Sequence, residues 1–244
     1  MEWRDQGLIL GVKKFGETSV ILEAMTRVRG RHAGLVKGGR SKRMRPLLQP
    51  GNEITLVWRA RLEDHLGLYL VEPIKLRAAR LMASTAALQG VNLLGALLRL
   101  LPERDPHEAL YEAACVIAEH LEDKDIAAVL LLRFELAVLA ELGFGLDLET
   151  CAATGTTENL VYVSPKSGRA VSAAAGAPYH DMMLPLPDFL RPQARSLTPS
   201  LADIRAGFQL TEYFLRRNLF EPRGLALPES RSAFLAELHK GAGV

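Results

Sequence analysis

The chain has 244 residues, of which 48% are hydrophobic and 24% charged, a composition ordinary for a globular protein of one or two domains. This composition excludes a largely disordered chain, a collagen-like repeat and a protein with many membrane spans. The net charge is only +2, but residues 1–80 carry 16 Lys and Arg against 8 Asp and Glu, and this excess indicates an acidic partner such as nucleic acid.

The first 78 residues are predicted to form a small barrel. Leu8, Leu10 and Val12 alternate with their neighbours, and four more apolar runs follow at residues 19–25, 33–37, 53–58 and 67–71. A closed barrel is favoured because an open sheet of five strands would leave unpaired edges. A five-stranded OB-fold barrel that binds oligonucleotides is therefore the natural candidate.

The most informative segment is residues 27–45, which contains many cations and no acidic residue. We interpret this cluster as a site for the closely spaced phosphates of a nucleic acid, and not as a basic surface that serves only solubility. Gly38 and Gly39 would allow the backbone to approach a phosphate closely. Aromatic residues for base stacking are few, and Phe15 and Tyr69 are predicted to be core residues. The predicted DNA-binding residues are Arg27, Arg29, Arg31, Lys37, Arg40, Lys42, Arg43 and Arg45.

After Pro73 the periodicity changes to that of helices, which predicts an α+β protein with domains at residues 1–78 and 79–244. Residues 81–98 carry no charge but contain Ser, Thr, Gln, Asn and Gly, so we expect a buried core helix and no membrane partner. A later helix is expected to begin at Thr198, with Pro199 in its first position. The predicted helices cover residues 75–101, 106–121, 125–142, a segment after residue 198, and residues 229–240.

Between the third and fourth helices, residues 146–195 are predicted to form a non-helical insertion. This segment is rich in Gly, Pro, Ser, Thr and Ala, and it contains one strand-like run at residues 160–163. The polar opening of the chain and its two widely separated cysteines, Cys115 and Cys151, predict a cytoplasmic protein without a leader or a disulfide framework.

Catalytic motifs are absent from the sequence. There is no G-x-x-x-x-G-K-[ST] phosphate loop, no G-x-S-x-G nucleophile motif and no H-E-x-x-H metal motif, and the six histidines form no close pair. We therefore expect a binding protein rather than an enzyme, without a cofactor.

Three segments occur in the order expected for one protein family. They are residues 6–22, the run Gly34-Leu-Val-Lys-Gly-Gly-Arg-Ser, and Arg133-Phe-Glu-Leu followed by residues 142–151. Each segment alone is weakly specific, but the ordered set covers nearly the whole chain. Together they resemble the RecO family of bacterial recombination mediators.

The resemblance implies an OB-fold and a helical domain that bind single- and double-stranded DNA and anneal complementary strands. It also implies that RecR and the tail of single-stranded DNA-binding protein are partners, and that recombinase is helped onto coated DNA. Two alternatives follow from the basic barrel alone: an OB-fold protein that binds RNA or acts in translation, and an adaptor that docks on an acidic protein.

Zinc-bearing members of that family have two C-x-x-C pairs in the insertion. Here Cys151 is followed at this spacing by Thr154, and Ser172 and Ala175 stand where the second pair could be. Because a structural zinc site needs about four Cys or His ligands, we expect a degenerate zinc-finger-like insertion that binds no metal.

Arg133 is an unusual residue because it lies within an apolar helical run. Burying its charge would be costly without a partner, so one interpretation is an internal ion pair. The other is a pocket for the acidic, hydrophobic-ended tail peptide, since a guanidinium can hold a carboxylate through two hydrogen bonds. The resemblance supports this second interpretation.

Overall fold

A computed structural model of the chain describes residues 1–191 and 199–240. The chain divides into two compact units, which we call the first and second units. The first unit comprises Met1–Ala127 and the C-terminal segment from Pro228, and the second comprises Ala128–Leu227. The predicted domain boundary at residue 78 stays a prediction.

Five strands of the first unit form a closed barrel in the order β1-β2-β3-β5-β4. All neighbouring pairs are antiparallel except β3 and β5, which run parallel and meet at Leu35 and Leu68. Strand β1 is long enough to pair with both β2 and β4, and a bulge lies between Ile9 and Gly11. The arrangement confirms the predicted five-stranded, OB-like barrel. The strands are β1 (Glu2–Phe15), β2 (Ser19–Thr26), β3 (Gly30–Val36), β4 (Glu53–Arg59) and β5 (Leu68–Lys75).

Alternating side chains fill the barrel. In β4, for example, Ile54, Leu56 and Trp58 are buried while the residues between them face outward. Tyr69 is a core residue as predicted, but Phe15 is not, because it ends β1 at a hairpin tip and half of it is exposed.

The helices of the first unit follow the barrel. The single helix predicted for residues 75–101 is wrong: β5 continues to Lys75, and the helical segment is broken at Ser84. There the backbone is extended, and the Ser84 hydroxyl accepts a hydrogen bond from the Ala87 N–H and so caps the second helix. The C-terminal helix returns to pack against that second helix. The helices are α1 (Ala78–Ala83), α2 (Thr85–Leu98), α3 (Glu108–His120), the start of α4 (Lys124–Glu141), and α7 (Glu229–His239).

The second unit contains most of α4, the insertion and α6 (Leu201–Leu215). The predicted cap Thr198 and the last predicted insertion residues, 192–195, lie outside the described residues. Helix α6 begins at Leu201 because Ser200 and Asp203 form a reciprocal capping box. The insertion contains a three-stranded sheet of β6 (Leu160–Val163), β7 (Ala170–Ser172) and β8 (Leu184–Pro185), in the order β7-β6-β8. It also contains the short helix α5 (Ala173–Gly176) and 3-10 turns at Ala177–Met182 and Asp188–Leu190. A π-turn at Arg216–Phe220 and a 3-10 turn at Glu221–Arg223 follow α6.

Together the barrel and the helices confirm the predicted α+β class. Across the two described stretches of the chain, no helix combines the length and the apolar character that crossing a membrane requires.

Candidate nucleic-acid interface

The connection between β3 and β4 packs against the barrel core through Met44, Leu47 and Leu48, and we call residues 37–48 the basic loop. Successive turns shape this loop: the Ser41 N–H donates to the Gly38 carbonyl, and the Leu48 N–H donates to the Met44 carbonyl. Gly38 has a φ of +67°, a backbone conformation that favours glycine. Leu48 is buried in the barrel core. The loop therefore turns its apolar residues inward and leaves the side chains of Lys37, Lys42, Arg43 and Arg45 exposed.

A buried amide fixes the end of the basic loop. Asn52 donates from Nδ2 to the carbonyls of Pro46 and Leu47, at 3.0 and 2.8 Å. Its Oδ1 accepts hydrogen bonds from the backbone N–H groups of Arg77 and Ala78, at 2.8 and 2.9 Å. Asn52 thus joins the loop to the start of α1 with every polar atom of its side chain satisfied.

The other end of the loop is tied to the hairpin between β1 and β2. The Arg40 guanidinium donates from Nη1 to the carbonyls of Gly16 and Glu17, and its backbone N–H bonds to the Thr18 carbonyl at 3.0 Å. The loop is therefore held at both ends before any ligand binds, which lowers the entropy lost on binding.

The eight predicted DNA-binding cations differ in how the fold treats them. Among the residues that the structure describes, Lys37, Lys42, Arg43 and Arg45 have no ion-pair partner. These four charges are free to attract phosphates.

The other cations of this segment contact the protein itself. Arg27 bonds to Glu108 and Glu112 of α3, which raises its pKa further. The side chain of Arg31 is only 16% exposed and lies 2.8 Å from a Glu23 carboxylate oxygen, and Arg29 lies over the Trp3 ring. Phosphate binding by all eight residues stays a prediction.

An ion-pair network centred on the buried Arg77 joins the barrel to α3, and the sequence did not reveal it. Arg77 has only 4% of its side chain exposed and bonds to Glu53 and Glu119, each at 2.9 Å. Hydrogen bonds from Lys75 and Arg77 lower the pKa of Glu119 to about 2. The Arg77 guanidinium joins β4 to α3, and Lys75 at the end of β5 bonds to the same Glu119.

The four predicted zinc-knuckle positions come together in the second unit. The Cys151 Sγ lies 3.5 Å from the Ser172 Oγ and accepts the Ser172 N–H at 3.2 Å. Ser172 in turn accepts the N–H of Ala175 as the cap of α5. Burial alone would raise the pKa of the Cys151 thiol, but hydrogen bonds from Thr154, Ser172 and Ala153 lower it to about 6.

One thiol, two hydroxyls and a methyl group do not fit a tetrahedral zinc ion, which takes four sulfur or nitrogen ligands. Across residues 1–191 and 199–240, no three His, Cys, Asp or Glu side chains form a group that could hold a metal. A metal-free insertion stays a prediction.

We expect purified protein to contain well under one zinc per chain, and a variant with Thr154→Cys, Ser172→Cys and Ala175→Cys to bind about one. Thr154 and Ser172 already contact Cys151, and the Ala175 N–H bonds to the Ser172 hydroxyl, so three thiols at these positions would complete a tetrahedral set. Elemental analysis after dialysis against a weak chelator checks both values. Adding Cys151→Ser to the triple variant should weaken retention. Stoichiometric zinc in the natural chain, or a zinc-free triple variant, would contradict the expectation.

Arg133 lies on the exposed side of α4, and its Nη2 is 3.5 Å from the Phe189 carbonyl. Within the described part of the chain no acidic group forms an ion pair with it, so the internal ion pair is not found. The buried polar residue of α4 is instead Glu135, which accepts the Thr211 hydroxyl at 2.5 Å. Peptide binding at Arg133 stays a prediction.

Comparisons with known proteins match both the N-terminal and the C-terminal part of the chain to one family. The family model "Recombination protein O N terminal" matches residues 1–77, and "Recombination protein O C terminal" matches residues 85–225. A protein of Methylocella silvestris called "DNA repair protein RecO" is 61% identical over 98% of this chain and 97% of its own length. Proteins with the same name from Beijerinckia indica and Mesorhizobium japonicum are 59% and 56% identical, each over 98% of this chain and 96% and 94% of their own lengths.

Proposed function

The chain belongs to the RecO family of DNA repair proteins, and we propose that it performs its role as a non-enzymatic recombination mediator by holding DNA against the basic loop. The observation that carries this proposal is the set of four unpaired, exposed cations on a loop fixed at both ends. Each phosphate that such a cation neutralises releases counterions and so contributes to affinity at any sequence. The experiment that tests it is a charge reversal in the loop, described in the Discussion.

Membership in a family of DNA repair proteins favours the mediator over the two alternatives, RNA binding and docking on an acidic protein. A salt titration with labelled single-stranded DNA, double-stranded DNA and RNA of equal length separates them, because an RNA-binding protein should prefer RNA at every salt concentration. We propose that the chain binds both single- and double-stranded DNA and brings complementary strands together.

We also propose RecR and the tail of single-stranded DNA-binding protein as partners, and the bacterial cytoplasm, at the nucleoid, as the place of action. The family resemblance supports the partners, and the bacterial origin of the relatives supports the location. For the tail peptide, the exposed guanidinium of Arg133 is the proposed contact, because it has no ion-pair partner among the described residues that would compete for a carboxylate.

We expect Arg133→Ala to weaken binding of the acidic tail peptide by about tenfold or more, because a charged hydrogen bond contributes about 1.5–3 kcal/mol. Binding to naked DNA should stay unchanged. Fluorescence anisotropy with a labelled peptide, and separately with a labelled oligonucleotide, checks both results.

The matched control for this prediction is Arg205→Ala. Arg205 is also exposed and lies on a helix of the second unit, so its loss changes the net charge equally. Unchanged peptide affinity in the Arg133 variant, or an equal loss in the control, would show that the contact lies elsewhere.

A further inference from the structure

Phe15 is an exposed aromatic residue at the tip of the hairpin between β1 and β2. It is the last residue of β1, pairs with Ser19 across the hairpin, and is 51% exposed. The preceding residues Lys13 and Lys14 are exposed as well. The hairpin tip therefore exposes one aromatic residue and two cations, and strand pairing decides which cation shares the face of the ring.

Alternation along the hairpin determines which side Phe15 faces. Val20 and Leu22 of β2 point into the core, so Ser19 and Ile21 point outward. Phe15 pairs with Ser19 and Lys13 pairs with Ile21, and cross-strand partners share a face. Phe15 and Lys13 are therefore on the outer surface of the barrel.

An apolar row continues across this outer surface. Ile21 pairs with Leu35 of β3, and Leu35 pairs with Leu68 of β5, which is 38% exposed. The exposed Lys37 follows β3 at its end. The face thus combines apolar side chains with cations at its margin, a combination that suits the bases and phosphates of a nucleic acid strand.

The basic loop and this face form one connected surface. Arg40 bonds to the carbonyls of Gly16 and Glu17, and Gly16 directly follows Phe15. The backbone of the hairpin tip is thereby held to the loop that carries Lys42 and Arg43. Phe15 is therefore directly next in the chain to a backbone group that contacts the basic loop.

We propose that Phe15 stacks on an unpaired base of a single DNA strand whose phosphates are bound by Lys13 and the basic loop. This inference rests on the proposed function of the basic loop and adds how single strands are distinguished from duplexes. Stacking of a base on an aromatic side chain contributes about 1–3 kcal/mol. Bases within a duplex are already stacked, so double-stranded DNA gains nothing from the ring.

The test is Phe15→Ala in the full chain, titrated with a labelled single strand and with a duplex of the same sequence. The variant should bind the single strand about tenfold more weakly, because the loss of one stacked base costs about 1–3 kcal/mol. Its affinity for the duplex should be unchanged. Phe15→Tyr should restore single-strand affinity, whereas Phe15→Leu, which is apolar but cannot stack, should not. Val12→Ala, another exposed apolar residue of the same hairpin, is the matched control and should change neither affinity.

A Phe15→Trp variant adds a spectroscopic readout. The fluorescence that the new tryptophan adds to that of the natural chain should be quenched by a single strand and not by the duplex. Quenching requires a base stacked on the indole ring.

Unchanged single-strand affinity in Phe15→Ala, an equal loss for strand and duplex, or full rescue by Phe15→Leu would overturn the stacking inference. If Phe15→Ala fails to fold, Phe15→Leu and Phe15→Tyr decide the question. A failure of the proposed function looks different, because the charge reversal in the basic loop would then leave binding of both strand and duplex intact.

Discussion

Replacing both Lys42 and Arg43 by Glu is expected to weaken DNA binding on the order of a hundredfold at about 50 mM salt, because each lost phosphate contact costs about tenfold there. The loss should be similar for every sequence, since phosphates carry no sequence information. The plot of log affinity against log salt concentration should become shallower by about two units, one for each contact. Both side chains are exposed and have no ion-pair partner among the described residues, so the change should leave the fold intact.

Anisotropy titrations of one labelled oligonucleotide at four or five salt concentrations measure the affinity and the slope together. The matched control is Lys166→Glu with Arg205→Glu, two exposed cations of the second unit, which changes the net charge by the same amount. The control should lose little affinity and keep its salt slope. Equal affinity and slope in the loop variant and the natural chain would place the DNA site elsewhere.

Arg77→Met is expected to lower the free energy of unfolding of the first unit by about 3 kcal/mol. Removing one partner of a buried ion pair costs about 3–5 kcal/mol, and the lower end applies because Glu119 is partly exposed. Urea unfolding followed by tryptophan fluorescence measures the change, because Trp3 and Trp58 both lie in the first unit.

The control is Arg80→Met, which removes an exposed arginine bonded to the same Glu119. Its effect should stay below about 1 kcal/mol, as for other exposed ion pairs. Equal effects of the two substitutions would contradict a special role for the buried guanidinium.

The Arg77 contribution should also depend on pH with a definite sign. The pKa of Glu119 in the folded chain, about 2, lies below its ordinary value of 4.5. The stabilisation is therefore fully present above about pH 4.5 and is lost as the pH falls towards 2. The difference between the natural chain and Arg77→Met should shrink over that interval.

The strands of the barrel could be predicted because alternation and turn-forming glycines are local signals. The break between α1 and α2 could not, since the apolar pattern runs through Ser84 without interruption and the capping role of its hydroxyl depends on the local backbone. Phe15 was misplaced for a related reason. Its apolar character predicts burial, but β1 continues past its pairing with β4 and carries Phe15 to the tip of the hairpin with β2.

The candidate site shows the same division between local and distant determinants. The concentration of cations in residues 27–45 and the ordered family segments are properties of the chain alone, and they sufficed to predict an OB-like barrel in a DNA repair protein. Which cations stay free depends on acids distant in the chain: Glu108 and Glu112 neutralise Arg27. Such pairings arise only when folding brings residues about 80 positions apart into contact, and no local periodicity encodes them.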